Sequence, residues 1–286
     1  MKRILITGAD GMLGLTLQDF LKDYILFTPP FPQFDITKPE TVEAAFAEAK
    51  PDIVINCAAK TDVDGCEDDE WEALDINSEG ARNVARVAAR EGARMIHIST
   101  DYVFDGLSKR PYVETDRPNP KTAYGKSKWE GEDHVKAICR DYAIIRTGWL
   151  YGPRRPNFVR TMLNLGQQEG EPLKVVNDQR GNPTSTEALA VTIEQIMNSR
   201  YNTTFHCTCE GDATWYEFAC AIMQEAGLPR EIVACTTDEY PRPAPRPANS
   251  RLFNRALALG GLGEMPHWRD ALNDFIGEYF GSTNAK

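Results

Sequence analysis

Arg3-Ile4-Leu5-Ile6-Thr7 runs directly into Gly8-Ala9-Asp10-Gly11-Met12-Leu13-Gly14, and the reading of the fold turns on this segment. The apolar run reads as a buried strand. Behind the glycines, Leu13, Leu17, Phe20 and Leu21 recur at helical spacing. Three glycines between a strand and a helix leave the helix N-terminus bare, so a pyrophosphate can rest against free backbone N–H groups. Glycines also merely punctuate loops. Here the weight comes from their place at the head of an α/β alternation, the context a dinucleotide site requires.

Outward from that segment, residues 24–28, 52–57, 94–99 and 142–147 read as further strands. Helical patterns lie between them at 70–91 and 122–140, and Thr37-Lys38-Pro39-Glu40 fits a capping box opening another helix. Strands alternating with helices imply parallel pairing through right-handed crossovers. The predicted class is α/β, a Rossmann-type doubly wound parallel sheet with a smaller C-terminal substrate-binding domain. We expect residues 1–148, with about 173–200, to form the dinucleotide-binding part, and 149–172 with 201–286 the substrate part. In the latter, Thr214 with Glu217 caps a helix, residues 203–207 read as a strand, and 268–279 carry a last amphipathic helix. The run Pro241-Arg242-Pro243-Ala244-Pro245-Arg246-Pro247 reads as a stiff loop, because proline fixes φ and donates no hydrogen bond.

Composition narrows the function classes. Of 286 residues, 42% are hydrophobic and 26% charged, the usage of an ordinary globular protein rather than a disordered or fibrous one. A net charge of −10 argues against nucleic-acid and membrane-surface partners, which call for basic patches. It leaves open a small anionic ligand held by local groups. No apolar run approaches the ~20 residues of a membrane span, and Ile4–Ile6 is too short for a signal-peptide core. Seven cysteines at irregular spacing point to reduced thiols, so the expected location is the cytoplasm.

Tyr124-Gly125-Lys126-Ser127-Lys128 sets a phenol and an ammonium one turn apart on a helix face. Tyrosine titrates near pH ~10, so acid–base work at neutrality calls for a cation beside it, and Lys128 is expected to lower the Tyr124 pKa. Ser99-Thr100-Asp101-Tyr102 follows the fourth strand at the carboxyl end of the sheet, where ligands bind. Thr100 is then the hydrogen-bond donor to a substrate carbonyl and Tyr124 the proton donor. After the second strand, Phe27-Thr28-Pro29-Pro30-Phe31-Pro32 offers neither an acid for a ribose 2′-OH nor an arginine for a 2′-phosphate. NADH and NADPH both remain open on the residues alone, and discrimination between them is expected to be modest.

Taken together, Thr7–Gly14, Cys57-Ala58-Ala59-Lys60-Thr61-Asp62-Val63-Asp64, Ser99-Thr100-Asp101-Tyr102-Val103-Phe104-Asp105-Gly106 and the Tyr124/Lys128 motif resemble the extended short-chain dehydrogenase/reductases. Within them the chain resembles the dTDP-4-dehydrorhamnose reductases. Arg146–Gly152, Val176–Thr184 and Arg246-Pro247-Ala248-Asn249-Ser250 extend the match over nearly the whole chain. The resemblance implies reduction of the 4-keto group of dTDP-4-dehydro-L-rhamnose to dTDP-L-rhamnose with hydride from NADPH, NADH being possible. It assigns Gly8, Asp10, Gly11, Met12, Leu13 and Gly14 to the pyrophosphate, Asp35 and Ile36 to the adenine end, and Ala58, Ala59 and Lys60 to the cofactor wall. Thr100, Tyr124 and Lys128 go to catalysis, with Tyr124 and Lys128 also meeting the cofactor. Thr100, Asp101, Tyr102, Trp149 and Arg246 go to the substrate. Asp35 has a competing role as a turn residue, Trp149 as core, and Arg154, Arg155 and Arg242 compete with Arg246 for a diphosphate.

Members of that family that dimerise around magnesium use glutamates, one of them where Thr16 stands here, although Glu187 is kept. A hydroxyl is a poor substitute for a carboxylate on a hard cation. No metal is therefore expected, Glu187 and Asp19 read as solvated helix acids, and the chain is expected to be a monomer or a metal-independent dimer. The resemblance leaves two rivals. One is a nucleotide-sugar epimerase or dehydratase, although Tyr102 occupies the position of a dehydratase glutamate. The other is a non-catalytic subunit like the regulatory one of methionine adenosyltransferase.

Overall fold

The computed structural model describes residues 1–281. Its frame is a six-stranded parallel sheet. The chain forms β1 (Arg3–Thr7), α1 (Met12–Phe20), β2 (Ile25–Phe27), α2 (Pro39–Ala49) and β3 (Ile53–Asn56). Short helices α3 (Val63–Asp68) and α4 (Glu70–Leu74) lead through a π-helical turn, Asp75–Gly80, into α5 (Ala81–Glu91). Then come β4 (Arg94–Thr100), α6 (Ala123–Ile138) and β5 (Tyr142–Thr147). Beyond β5 lie β6 (Leu150–Tyr151), α7 (Phe158–Gly166), β7 (Leu173–Val176), β8 (Arg180–Gly181), β9 (Thr184–Ser185), α8 (Thr186–Asn198) and β10 (Thr203–His206). The chain finishes with β11 (Ala213–Thr214), α9 (Trp215–Glu225), β12 (Ile232–Cys235), α10 (Arg255–Gly260) and α11 (Trp268–Tyr279).

The sheet order is β10-β5-β4-β3-β1-β2, with every pair parallel. Successive side chains of a strand point to opposite faces, and both faces are covered. Ile4, Ile6, Ile55, Ile96 and Ile145 pack under α1 and α8, while Leu5, Val54, Met95 and Ile144 pack under α2, α5 and α6. That double burial is why the strands read as unbroken apolar runs. From β1 the chain goes outward to β2 and returns to β3 on the other side of β1. The reversal opens a crevice at the carboxyl ends of β1 and β3.

Several local expectations need correction. The helix expected at 70–91 is interrupted by the π turn, and α3 precedes it as a separate element. Thr37 does not cap α2: its hydroxyl donates to Asp35 Oδ1 at 2.7 Å, and Lys38 precedes Pro39 at the helix start without a side-chain cap. β7 pairs with β12 in a separate two-stranded sheet rather than joining the large sheet. Conversely β10, expected in the substrate part, adds to β5 as the edge strand, its Phe205 aligned with Ile145. A strand of four residues carries no mark of which edge it will extend. The capping box at Thr214 and Glu217 forms as expected.

α6 is anchored by a buried ion pair. Glu132, wholly buried, accepts two hydrogen bonds from Arg146 of β5 at 2.8 and 2.7 Å and one from Ser99 of β4 at 2.7 Å. Burial by itself would push the Glu132 carboxyl up, but Arg146, with Lys136 and Ser99, outweighs it and holds the group well below the usual carboxylate range. The Arg146 guanidinium also lies 5.1 Å from the Phe104 ring. Breaking such a pair from one side strands a charge in the interior. Glu132→Gln should therefore cost about 3–5 kcal/mol in equilibrium urea unfolding. The apolar double variant Glu132→Leu/Arg146→Met should lose less than Glu132→Gln alone, and a double variant that loses more would contradict the assignment.

Candidate active site

At the end of β1 the backbone turns at Gly8 with φ +60°, a left-handed conformation. A Cβ there would sit 2.7 Å from the Ala58 backbone, so only glycine lets the β1 and β3 ends approach this closely. A Cβ on Gly14 would come within 2.8 Å of Ala9 Cα, which seats α1 against the loop. Gly11 is the N-cap of α1, and neither a side-chain cap nor an acid occupies the first turn. Its leading N–H groups and the positive end of the helix dipole are thus left for an anion. The cradle fits a dinucleotide pyrophosphate. Gly8, Gly11, Met12, Leu13 and Gly14 line one wall of a cleft of about 430 Å³.

Across that cleft stand the polar groups of β4 and α6. Thr100, Asp101, Tyr102, Tyr124 and Lys128 all line it. The N-cap hydrogen bond from Gly125 N–H to Thr122 Oγ1, 2.9 Å, starts α6 so that Tyr124 faces inward. A Cβ on Gly125 would meet the Tyr102 backbone, so the helix start lies tight on the β4 turn. Lys128 Nζ, almost fully buried, donates to the Ile98 carbonyl at 2.6 Å. Burial lowers its pKa to about 8 against the opposing pull of Glu132 and Cys57.

The expectation that Lys128 lowers the Tyr124 pKa is not met. Burial pushes the phenol above its usual value, with the nearby Asp101 carboxyl adding to the rise and the Thr100 hydroxyl offsetting part of it. Lys128 is itself desolvated, and its proton is turned to the β4 backbone. Asp101 is raised to about 6 by burial, against hydrogen bonds from Ser250, Thr100 and backbone N–H groups. Thr100 Oγ1 donates to Asp101 Oδ1 at 3.0 Å.

Trp149 closes the floor in a left-handed conformation, φ +50°, its indole stacked on Trp215 with centroids 3.6 Å apart. Trp215 and Tyr102 also border a second cleft of about 450 Å³, which holds Arg242 and Arg246. Arg246 donates to Asp64 Oδ2 at 2.9 Å, and the Ala244 N–H donates to the same carboxylate, so the proline-rich loop is tied to α3. Other expected residues lie away from the cleft lining. The Asp10 carboxylate accepts from Phe31 N–H, and Asp35 is engaged by Thr37. Ile36 is core against Gly80. Ala58 donates its N–H to Thr7 Oγ1, and Lys60 pairs outward with Glu72, whereas Ala59 lines the cleft. Thr16 is turned inward to Thr186 at 2.9 Å. Glu187 is not a solvated acid: it is largely buried, which raises its pKa. Asp19 pairs with Arg154.

Five supporting residues were not singled out as site residues on the sequence alone. Asn77, in the π turn, donates to the Lys60 carbonyl and to Ser127 Oγ, each at 3.0 Å, stitching the β3 loop to α6. Glu132 continues the Tyr124/Lys128 face by one more turn, and Arg146 is the lone charge in an apolar strand; both signals were legible. Nothing in the sequence marked Trp215, and Asp64 stood only as the last residue of a matching motif, with no role attached.

Residues 1–280 match the family described as the RmlD substrate binding domain. The spore coat polysaccharide biosynthesis protein SpsK of Bacillus subtilis (strain 168) is 43% identical over 280 residues, 97% of this chain and 98% of that protein. A crystal structure of a dTDP-4-dehydrorhamnose reductase from Clostridium acetobutylicum superposes with TM-score 0.93 at 45% identity, covering 96% of this chain and 98% of that one. The dTDP-4-dehydrorhamnose reductase of Bacillus anthracis, solved in complex with NADP, gives TM-score 0.95 at 39% identity, covering 97% of this chain and all of that one. With the sheet, the bare helix N-terminus and a family match over nearly its full length, the chain belongs to the RmlD substrate binding domain family.

Proposed function

We propose that the chain reduces the 4-keto group of dTDP-4-dehydro-L-rhamnose, giving dTDP-L-rhamnose, with NADPH as the preferred cofactor. The observation that carries this is the convergence of Thr100, Tyr124 and Lys128 on the one cleft whose opposite wall is the bare N-terminus of α1. The sheet with its covering helices is the cofactor half in this reading, and the elements around the second cleft are the sugar-nucleotide half. Relatives named dTDP-4-dehydrorhamnose reductase, one of them solved with NADP, support the assignment.

When bound, the nicotinamide supplies the hydride. The chain's own groups handle the oxygen. Thr100 Oγ1 turns from Asp101 to donate to the sugar carbonyl. Tyr124 passes its phenolic proton to that oxygen as negative charge develops there. Burial keeps the phenol protonated, which suits a donor. The Lys128 ammonium steadies the phenolate left behind and holds the cofactor ribose. Trp149 offers a flat face for the sugar, and Arg246 a guanidinium whose fork matches a diphosphate. Tyr102, half-buried and edge-on to Tyr124 with centroids 5.6 Å apart, is not the acid a dehydration requires. The reading uses no metal, since the Thr16 hydroxyl is spent on Thr186, and it takes the chain as a monomer or a metal-independent dimer.

Protein mixed with NADPH and the dTDP-4-keto sugar should consume nicotinamide absorbance only when both are present. Tyr124→Phe should lower kcat by about 10²–10⁴ while NADPH affinity stays within about twofold. Turnover near that of the unaltered protein would remove Tyr124 from the chemistry.

The pH dependence follows from Lys128. Burial lowers its pKa, so the required cation is present at neutrality and is lost as pH rises through about 8. The profile of kcat/KM, which reports groups of the free enzyme, should be flat near pH ~7 and fall above it. A profile level to pH ~10, the usual lysine range, would contradict the role given to Lys128.

A further inference from the structure

Arg155 has no place in the mechanism above, yet its backbone is held at φ +68°, a conformation side-chain-bearing residues seldom adopt. Such outliers persist where the surroundings impose them, and they cluster at ligand clamps. The imposing contacts lie in the turn between β6 and α7. Arg154 pairs with Asp19 of α1. Arg160 Nη1 donates to the Pro153 carbonyl at 2.5 Å, and Asn157 Nδ2 donates to the Gly152 and Arg155 carbonyls at 2.8 and 3.2 Å. A Cβ on Gly152 would meet Thr186 and Met12, and Asn157 Nδ2 lies 3.7 Å from Met12 Sδ, so the turn lies against the start of α1.

The strained turn delivers the Arg155 guanidinium to Asp10, where Nε donates to the carbonyl oxygen at 2.7 Å. Among the described residues no carboxylate pairs with Arg155. The Asp10 carboxylate is engaged by Phe31 N–H, at the end of the segment where an arginine for a 2′-phosphate is missing. An exposed, unneutralised guanidinium is thus fixed one residue from Gly11, the N-cap of the anion-binding helix.

We propose that Arg155 is a cofactor-binding residue that grips a phosphate of the dinucleotide, supplied by the turn after β6 instead of the end of β2. The chemistry is a guanidinium on a phosphate dianion or diester. NADPH carries two such groups, the adenosine 2′-phosphate and the pyrophosphate. This rests on the reading of the cleft as a dinucleotide site.

Equilibrium titration of the full chain with NADPH and with NADH, followed by quenching of protein fluorescence, tests it. Arg155→Ala should weaken NADPH by about ten- to hundredfold, the worth of a charge-assisted pair, and Arg155→Lys should fall between. Loss for NADPH alone assigns the contact to the 2′-phosphate, and equal loss for both assigns it to the pyrophosphate. Arg155→Gly separates binding from structure: it relieves the positive φ, so Tm should stay level or rise while NADPH affinity falls. Arg155→Ala and Arg155→Gly proteins that bind both nucleotides as the unaltered chain does would overturn the proposal. If the unaltered chain binds neither nucleotide, the cofactor reading itself fails.

Discussion

The buried pair between Glu132 and Arg146 is the constraint on which the candidate site depends. Glu132 stands on the same face of α6 as Tyr124 and Lys128, two turns and one turn further along. Its partners are Arg146, next to Thr147 of β5, and Ser99, next to Thr100 of β4. Rotating or sliding α6 by even one residue would strand a carboxylate and a guanidinium in the interior, at a cost comparable to a large share of a domain's net stability. The seating of α6 on β4 and β5, and with it the placement of Tyr124 opposite Thr100, therefore rests on electrostatics beneath the site as well as on contacts within it. The Asn77 amide adds a second stitch from the opposite side, and a Cβ on Gly131 would meet the Asn77 backbone, so the π turn and α6 lie in close contact.

The same burial that makes this anchor strong tunes the groups around it in opposite senses. Desolvation disfavours whichever form is charged. It lowers Lys128 to about 8 and raises Asp101 to about 6, and it keeps Tyr124 protonated. Three ordinary side chains thereby become a site whose cation is poised near neutrality and whose phenol is a donor. On the facing wall no side chain is needed at all. Glycines at 8, 11 and 14 let backbone N–H groups and the helix dipole meet an anion that the net charge of −10 would otherwise repel.

The frame was legible because double burial forces long apolar strands, and because glycine is required wherever β1 and β3 approach. The Tyr124, Lys128, Thr100 and Trp149 positions followed from helical spacing, from their place at strand ends and from the resemblance. What escaped were features set by tertiary partners. β7 and β10 are too short to declare which edge they extend, and the π turn leaves the helical period of 70–91 almost intact. Lys128 spaced four residues from Tyr124 suggested a lowered phenol pKa, but spacing says nothing of desolvation, which reverses the shift. Arg246 was preferred over Arg155 for a phosphate, although both are arginines in proline-flanked loops. Only the fold ties one to Asp64 and brings the other to Asp10.

In the proposed function, one cleft brings a reduced nicotinamide to the 4-keto carbon of a dTDP sugar. The most direct measurement uses NADPH carrying deuterium at the transferable position, with the dTDP-4-dehydro sugar, and reads the product by NMR. One deuterium at the sugar C4, on a single face, with none washed out into water, is the expected result. Product without label at C4, or label-independent exchange at C3 or C5, would contradict it.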